Sequence, residues 1–155
     1  MIIMYFLFGS EEQEIKIRIK EIGNPTIMEL TSILEGIHEL HSVSCQIELL
    51  EKNKWYGNLN EEYGLRIKSI RKASPTEILF VGHIGLKILK LILLTALIAN
   101  DNEERTKKII EVITNKISNE RHRDIIISKT IKGLKKIGAS ATSSLAVLEI
   151  IDEIK

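Results

Sequence analysis

A chain of 155 residues with 44% hydrophobic and 28% charged side chains has the size and balance of one globular domain, which excludes disorder and a bilayer-embedded bundle as starting points. Its formal net charge of +1 supplies no overall field to draw it onto nucleic acid or an anionic membrane, so any such partner has to be met by a local patch. The single Cys45 allows neither an internal disulfide nor a paired-cysteine zinc site, and it fits the reducing cytoplasm.

The first segment, Met1 to Phe8, is apolar but has no basic region ahead of it and runs into the acidic Glu11, Glu12 and Glu14, so it reads as a buried strand rather than a leader. Glu14 to Lys20 alternates strictly, with Ile15, Ile17 and Ile19 on one face and Lys16, Arg18 and Lys20 on the other. The short polar link from Gly9 to Glu12 predicts that these two strands form an antiparallel hairpin.

After Gly23, Asn24 and Pro25, Thr26 and Glu29 have the spacing of a capping box, and a helix is expected to open there. Ile33, Ile37, Leu40, Val43, Ile47 and Leu50 recur at intervals of three and four and carry that helix to about Glu51. The polar stretch from Lys52 to Tyr63, with Gly57 and the only tryptophan, Trp55, reads as a loop. Leu65 to Lys68 alternates again and predicts a second strand with basic residues on one face, broken in phase at Ser69 and Ile70 as by a bulge.

Ser74, Pro75, Thr76 and Glu77 combine an N-cap hydroxyl, a proline at the first helical position and a carboxylate in the first turn. They predict the start of a long apolar helix, Thr76 to Ala99. Asp101 to Ile117 has an apolar face made by Ile109, Ile110, Val112, Ile113 and Ile117, and after a polar break a further helix carries Ile127, Ile131, Leu134 and Ile137 to Gly138. Leu145 to Ile151 fits a buried strand, but Val147, Ile150, Ile151 and Ile154 also share a helical face, and helix is the reading favoured here. The sum is an α+β domain spanning residues 1–155: a small antiparallel sheet, the N-terminal hairpin plus a strand near 64–72, packed against about four helices.

The succession of strand, Ser-Pro-x-Glu and long apolar helix over Leu65 to Asn100 resembles a pattern in small bacterial proteins. The resemblance brings with it no activity, ligand or catalytic residue.

Three features carry functional expectations. In the helix expected over 76–99, Thr76, His83, Lys87 and Lys90 fall within one narrow arc and nearly all the remaining circumference is apolar. Large apolar patches mark interfaces, so Ile84, Ile88, Leu91 and Leu94 are the candidate residues of a non-catalytic interaction or self-association module. The same length of helix would reach across a bilayer, which makes membrane association the alternative, although Lys87 and Lys90 near its middle oppose insertion. If the two alternating strands pair, Lys16, Arg18, Lys20, Arg66 and Lys68 share one surface, a candidate site for nucleotide or nucleic acid, but without aromatic residues on which bases could stack.

His38, His41 and Cys45 stand at neighbouring positions of one helix face and are of types that bind zinc. The expected reading keeps them structural, with no metal or cofactor. No Gly-x-x-x-x-Gly-Lys loop, Gly-x-Ser-x-Gly elbow or His-Glu-x-x-His helix is present, and no catalytic residues are expected. The expected partner is a second copy or another protein, ahead of a membrane and of nucleotide or nucleic acid.

Overall fold

A computed structural model describes residues 12–19, 27–51, 64–71, 76–99, 101–138 and 147–151. In chain order these form β1 (Gln13–Ile19), α1 (Ile27–Glu51), β2 (Arg66–Arg71), β3 (Thr76–Gly82), α2 (Leu86–Ile98), α3 (Asn102–Lys116), α4 (Glu120–Gly138) and β4 (Val147–Ile151). The strands make one antiparallel sheet in the order β2-β3-β1-β4, so the expected α+β class is the observed one. The expected partner strand Met1 to Phe8 lies outside the described residues, as do Lys20 and Trp55, and the neighbours of β1 are β3 and β4.

The alternation of β1 does what its period demands. Ile15, Ile17 and Ile19 are buried on the helix side, and the register sets Ile15 beside Phe80 and Ile17 beside Ile78. Above this face, the first half of α1 is amphipathic, with Thr31, Glu35 and His38 exposed, and its second half is enclosed. Val43, Ser44, Cys45, Gln46 and Ile47 are all buried, and five consecutive residues at about 100° each cover the whole circumference. The enclosed stretch of helix is therefore Val43 to Ile47 of α1.

The apolar run at 76–99 is corrected. Residues 76–82 form β3, a turn follows at His83 to Gly85, and only Leu86–Ile98 is helical. Ile78 and Phe80 are buried in the core on the inner side, while Glu77 pairs in register with the solvent-side Arg18. This alternation, together with the β-branched and aromatic residues of the run, outweighs the helix-start signal at Ser74–Glu77. Gly85, at φ +79°, then reverses the chain into α2. The preference for helix at the C-terminal tail is corrected too, since Val147–Ile151 is a strand paired with β1, at one end of the sheet among the described strands.

α4 runs antiparallel to α1 at close range. A Cβ on Gly36 would stand 2.7 Å from Ile137 Cγ1 and 2.8 Å from the Gly133 carbonyl oxygen, and Ser32 Oγ donates to the Lys136 carbonyl at 2.9 Å. Ion pairs Lys136–Glu35 at 3.3 Å and Lys132–Glu39 at 3.9 Å flank the contact. Gly36→Ala is expected to lower stability by about 2 kcal/mol, because the backbone carbonyl opposite it cannot step aside as a flexible side chain would. Urea denaturation checks this. A gain in stability, as helix propensity alone predicts, would mean that the two helices separate at little cost.

Asp101 caps α3 by accepting from the Glu104 N–H at 2.7 Å, and Asn119 Oδ1 caps α4 by accepting from His122 N–H at 3.1 Å. Arg123 lies in the first turn of α4 and donates to the carbonyls of Ile117 at 3.3 Å and Ser118 at 3.2 Å.

Candidate interaction site

α2 is placed by α1 through three side chains one helical turn apart. His41 Nε2 donates to the Ile84 carbonyl at 2.9 Å, the Cys45 thiol points to the same oxygen at 3.6 Å, and Glu48 Oε2 accepts from the Gly85 N–H at 3.1 Å. Both polar groups of the Ile84–Gly85 peptide are thus satisfied by α1, and the first bond of α2, Leu89 N–H to the Gly85 carbonyl at 2.8 Å, follows directly.

Held this way, α2 buries Leu86, Ile88, Leu89, Ile92, Leu93 and Ala96. Of the four candidate interaction residues, Ile84 and Ile88 are core residues, 2% and 7% exposed, whereas Leu91 and Leu94 are 39% and 40% exposed. Ile98, 69% exposed, joins them. Lys87, Leu91, Leu94 and Ile98 follow at intervals of four, three and four and make one stripe along the outside of α2. Ile98 escaped the sequence reading because a helix begun ten residues too early presents too wide an apolar arc to single out one edge. At the far end of the stripe stand the exposed carboxylates Asp101 and Glu103.

The shortening of the helix also removes the basis for a membrane crossing. Thirteen residues span about 20 Å, against a hydrocarbon core of about 30 Å. Among the described residues no helix is long and apolar enough to cross a membrane.

On the outer face of the sheet, β1 and β2 are not adjacent, because β3 lies between them. Glu77 of β3 thereby stands between Arg71 and Arg18, and Glu149 stands opposite Arg18 on the other side, so one rung reads Arg71, Glu77, Arg18, Glu149 across the four strands. Arg18 Nε donates to Glu77 Oε1 at 2.8 Å, which holds the Glu77 carboxyl below its ordinary pKa. Lys68, at the bulge of β2, pairs with Glu14, and that bond raises its pKa. Of the candidate anion-binding residues, Lys16, Arg18, Arg66 and Lys68 do share the outer half of the sheet, yet two of them already hold carboxylates. A polyanion would have to displace Glu77 and Glu14 to reach them.

The His41–Cys45 pair is buried and its chemistry is suppressed. Burial pushes the His41 imidazole down to about 4, and burial together with the nearby Glu48 pushes the Cys45 thiol far up. A buried protonated thiol is a poor nucleophile and a poor metal ligand. His38 is exposed while His41 and Cys45 are buried, and among the described residues no group of three His, Cys, Asp or Glu is placed to hold a metal ion.

The architecture is that of an α+β protein with an antiparallel sheet, and the described residues display outward a helix stripe and the exposed strand β2. Comparison with protein-family models, with curated proteins and with solved structures finds no match to this chain.

Proposed function

We propose that this protein is a non-catalytic self-association module, acting in the cytoplasm, whose α2 stripe pairs with the same stripe of a second copy. The observation that carries the reading is the exposure of Leu91, Leu94 and Ile98 in a row on a helix whose opposite side is fully buried. Charge favours a second copy over an unrelated partner. In an antiparallel pairing about a twofold axis near Leu94, Lys87 of each chain meets the end of the other stripe, where Asp101 and Glu103 are exposed and the α2 carbonyls end in a negative partial charge.

Three side chains fall short of the ~800 Å² per partner of a stable complex, so the dimer is weak and forms at concentrations on the order of 100 µM. Light scattering on protein emerging from size exclusion, over a range of loadings, is expected to show monomer turning into dimer. Leu94→Lys is expected to abolish dimerisation without unfolding the chain, Lys87→Glu to weaken it about tenfold, and Glu103→Lys added to Lys87→Glu to restore it. A monomer at every concentration would overturn the reading.

A further inference from the structure

A second surface lies at the other end of the molecule, on β2, and it does not depend on the α2 pairing. Every residue of β2 is exposed, and it is one of the two terminal strands of the sheet among those described. Its register assigns the two faces. Ile67 stands opposite Phe80 and Ile70 opposite Ile78, on the side where the core lies, yet Ile67 and Ile70 are 46% and 45% exposed. Beside Ile67 opens a cavity of about 140 Å³ lined by Leu34, Ile37, His38, Leu65, Ile67 and Phe80. The other side of β2 carries Arg66 opposite Val81 and Arg71 opposite Glu77. An apolar row and a basic row thus run along one strand whose outer backbone edge has no partner strand among the described residues.

We propose that β2 receives an extended segment of a partner protein as a fifth antiparallel strand, and that this segment alternates apolar with acidic side chains. Backbone pairing with the free edge supplies the affinity common to strand addition, and the alternate side chains supply the choice of partner. Apolar residues of the added strand would lie over Ile67 and Ile70 and close the mouth of the cavity. The acidic preference follows from the rung across the sheet: its charges run plus, minus, plus from Arg18 through Glu77 to Arg71, and the next place beyond Arg71 calls for a carboxylate.

The same charges exclude a second copy of β2. Two such strands paired antiparallel about their middle would set Arg66 directly against Arg71 at both ends, and like charges opposed in a ladder are destabilising. The bulge at Lys68 and the three exposed cations are the kind of edge that discourages pairing with itself. What blocks an identical strand admits an acidic one.

The test uses the full chain and two capped octapeptides, one alternating Glu with Val and the other Lys with Val, titrated while the fluorescence anisotropy of a dye on the peptide is followed. The Glu–Val peptide is expected to bind at least tenfold more tightly than the Lys–Val peptide, and Arg66→Glu with Arg71→Glu to reverse that order. Hydrogen exchange then separates strand addition from loose charge attraction: the outward amides of β2 are expected to exchange quickly in the free protein and slowly in the complex. Absence of binding, equal binding of the two peptides, or unchanged exchange would overturn the proposal. So would slow exchange of these amides in the free monomer, which would mean that the chain covers its own edge, or a dimer lost on Ile67→Lys, which would assign the edge to a second copy.

Discussion

Gly85→Ala is expected to cost the fold about 3 kcal/mol, the largest effect of any single methyl group in the described part of the chain. Two penalties add. A residue with a Cβ held at φ +79° meets its own following carbonyl, a cost of about 1–2 kcal/mol. The new Cβ would also stand 2.8 Å from Cys45 Sγ, 3.0 Å from Cys45 N and 3.3 Å from Cys45 Cα, and overpacking of this kind costs about 1–3 kcal/mol. The second contact distinguishes this site from an ordinary crowded glycine. Cys45→Ala removes the sulfur but leaves the α1 backbone where it is, so the double variant is expected to recover only part of the loss. Urea denaturation of the two single variants and the double variant checks the arithmetic. A loss below about 1 kcal/mol for Gly85→Ala would mean that the turn relaxes away from α1, and the attachment of α2 by His41, Cys45 and Glu48 would then be looser than its distances imply.

The same turn explains what was and was not legible in the sequence. β1 and α1 were readable because their patterns are redundant: three isoleucines at a period of two, and six apolar residues at a period near 3.6. At Ser74–Glu77 the local signal was sound and the conclusion wrong. The hydroxyl, proline and carboxylate that favour a helix start suit a strand start equally well when the following residues are Ile78, Phe80 and Val81 and tertiary pairing waits on both sides. The decisive cue was present in Gly82 and Gly85, two breakers three residues apart inside an apolar run, but it was outweighed by hydrophobicity that both readings explain.

One misassigned segment then propagated. With 76–82 taken as helix, Glu77 became a cap instead of the carboxylate between Arg71 and Arg18, and the outer face of the sheet looked uniformly basic when one of its rungs alternates in charge. The extended arc likewise grouped the buried Ile84 and Ile88 with Leu91 and Leu94, which are exposed. His41 and Cys45 were visible on one helix face, together with His38, but Glu48 was not singled out. The target of these side chains, the peptide between Ile84 and Gly85, was not visible, because no local rule tells which distant backbone a buried polar side chain satisfies.

That face makes stability sensitive to acid in a window that ordinary carboxylates do not reach. The folded protein holds the His41 imidazole at about 4 against 6.5 when unfolded; burial dominates, the hydrogen bond to Ile84 opposes it, and His38 adds a small repulsion. A depressed folded value means that the unfolded chain takes up the proton first, so the full stability is present above pH 6.5 and is lost as the pH falls towards 4. At about 1.4 kcal/mol per pH unit the loss by pH 4 is about 3 kcal/mol. His41→Gln removes the titrating group while leaving an amide able to donate towards Ile84. It is therefore expected to be less stable than the parent at pH 7, and the difference between the two is expected to shrink from pH 6.5 to 4. Denaturation midpoints of both proteins across that range measure it, and a difference that stays constant with pH would show that His41 is not buried as a neutral ring.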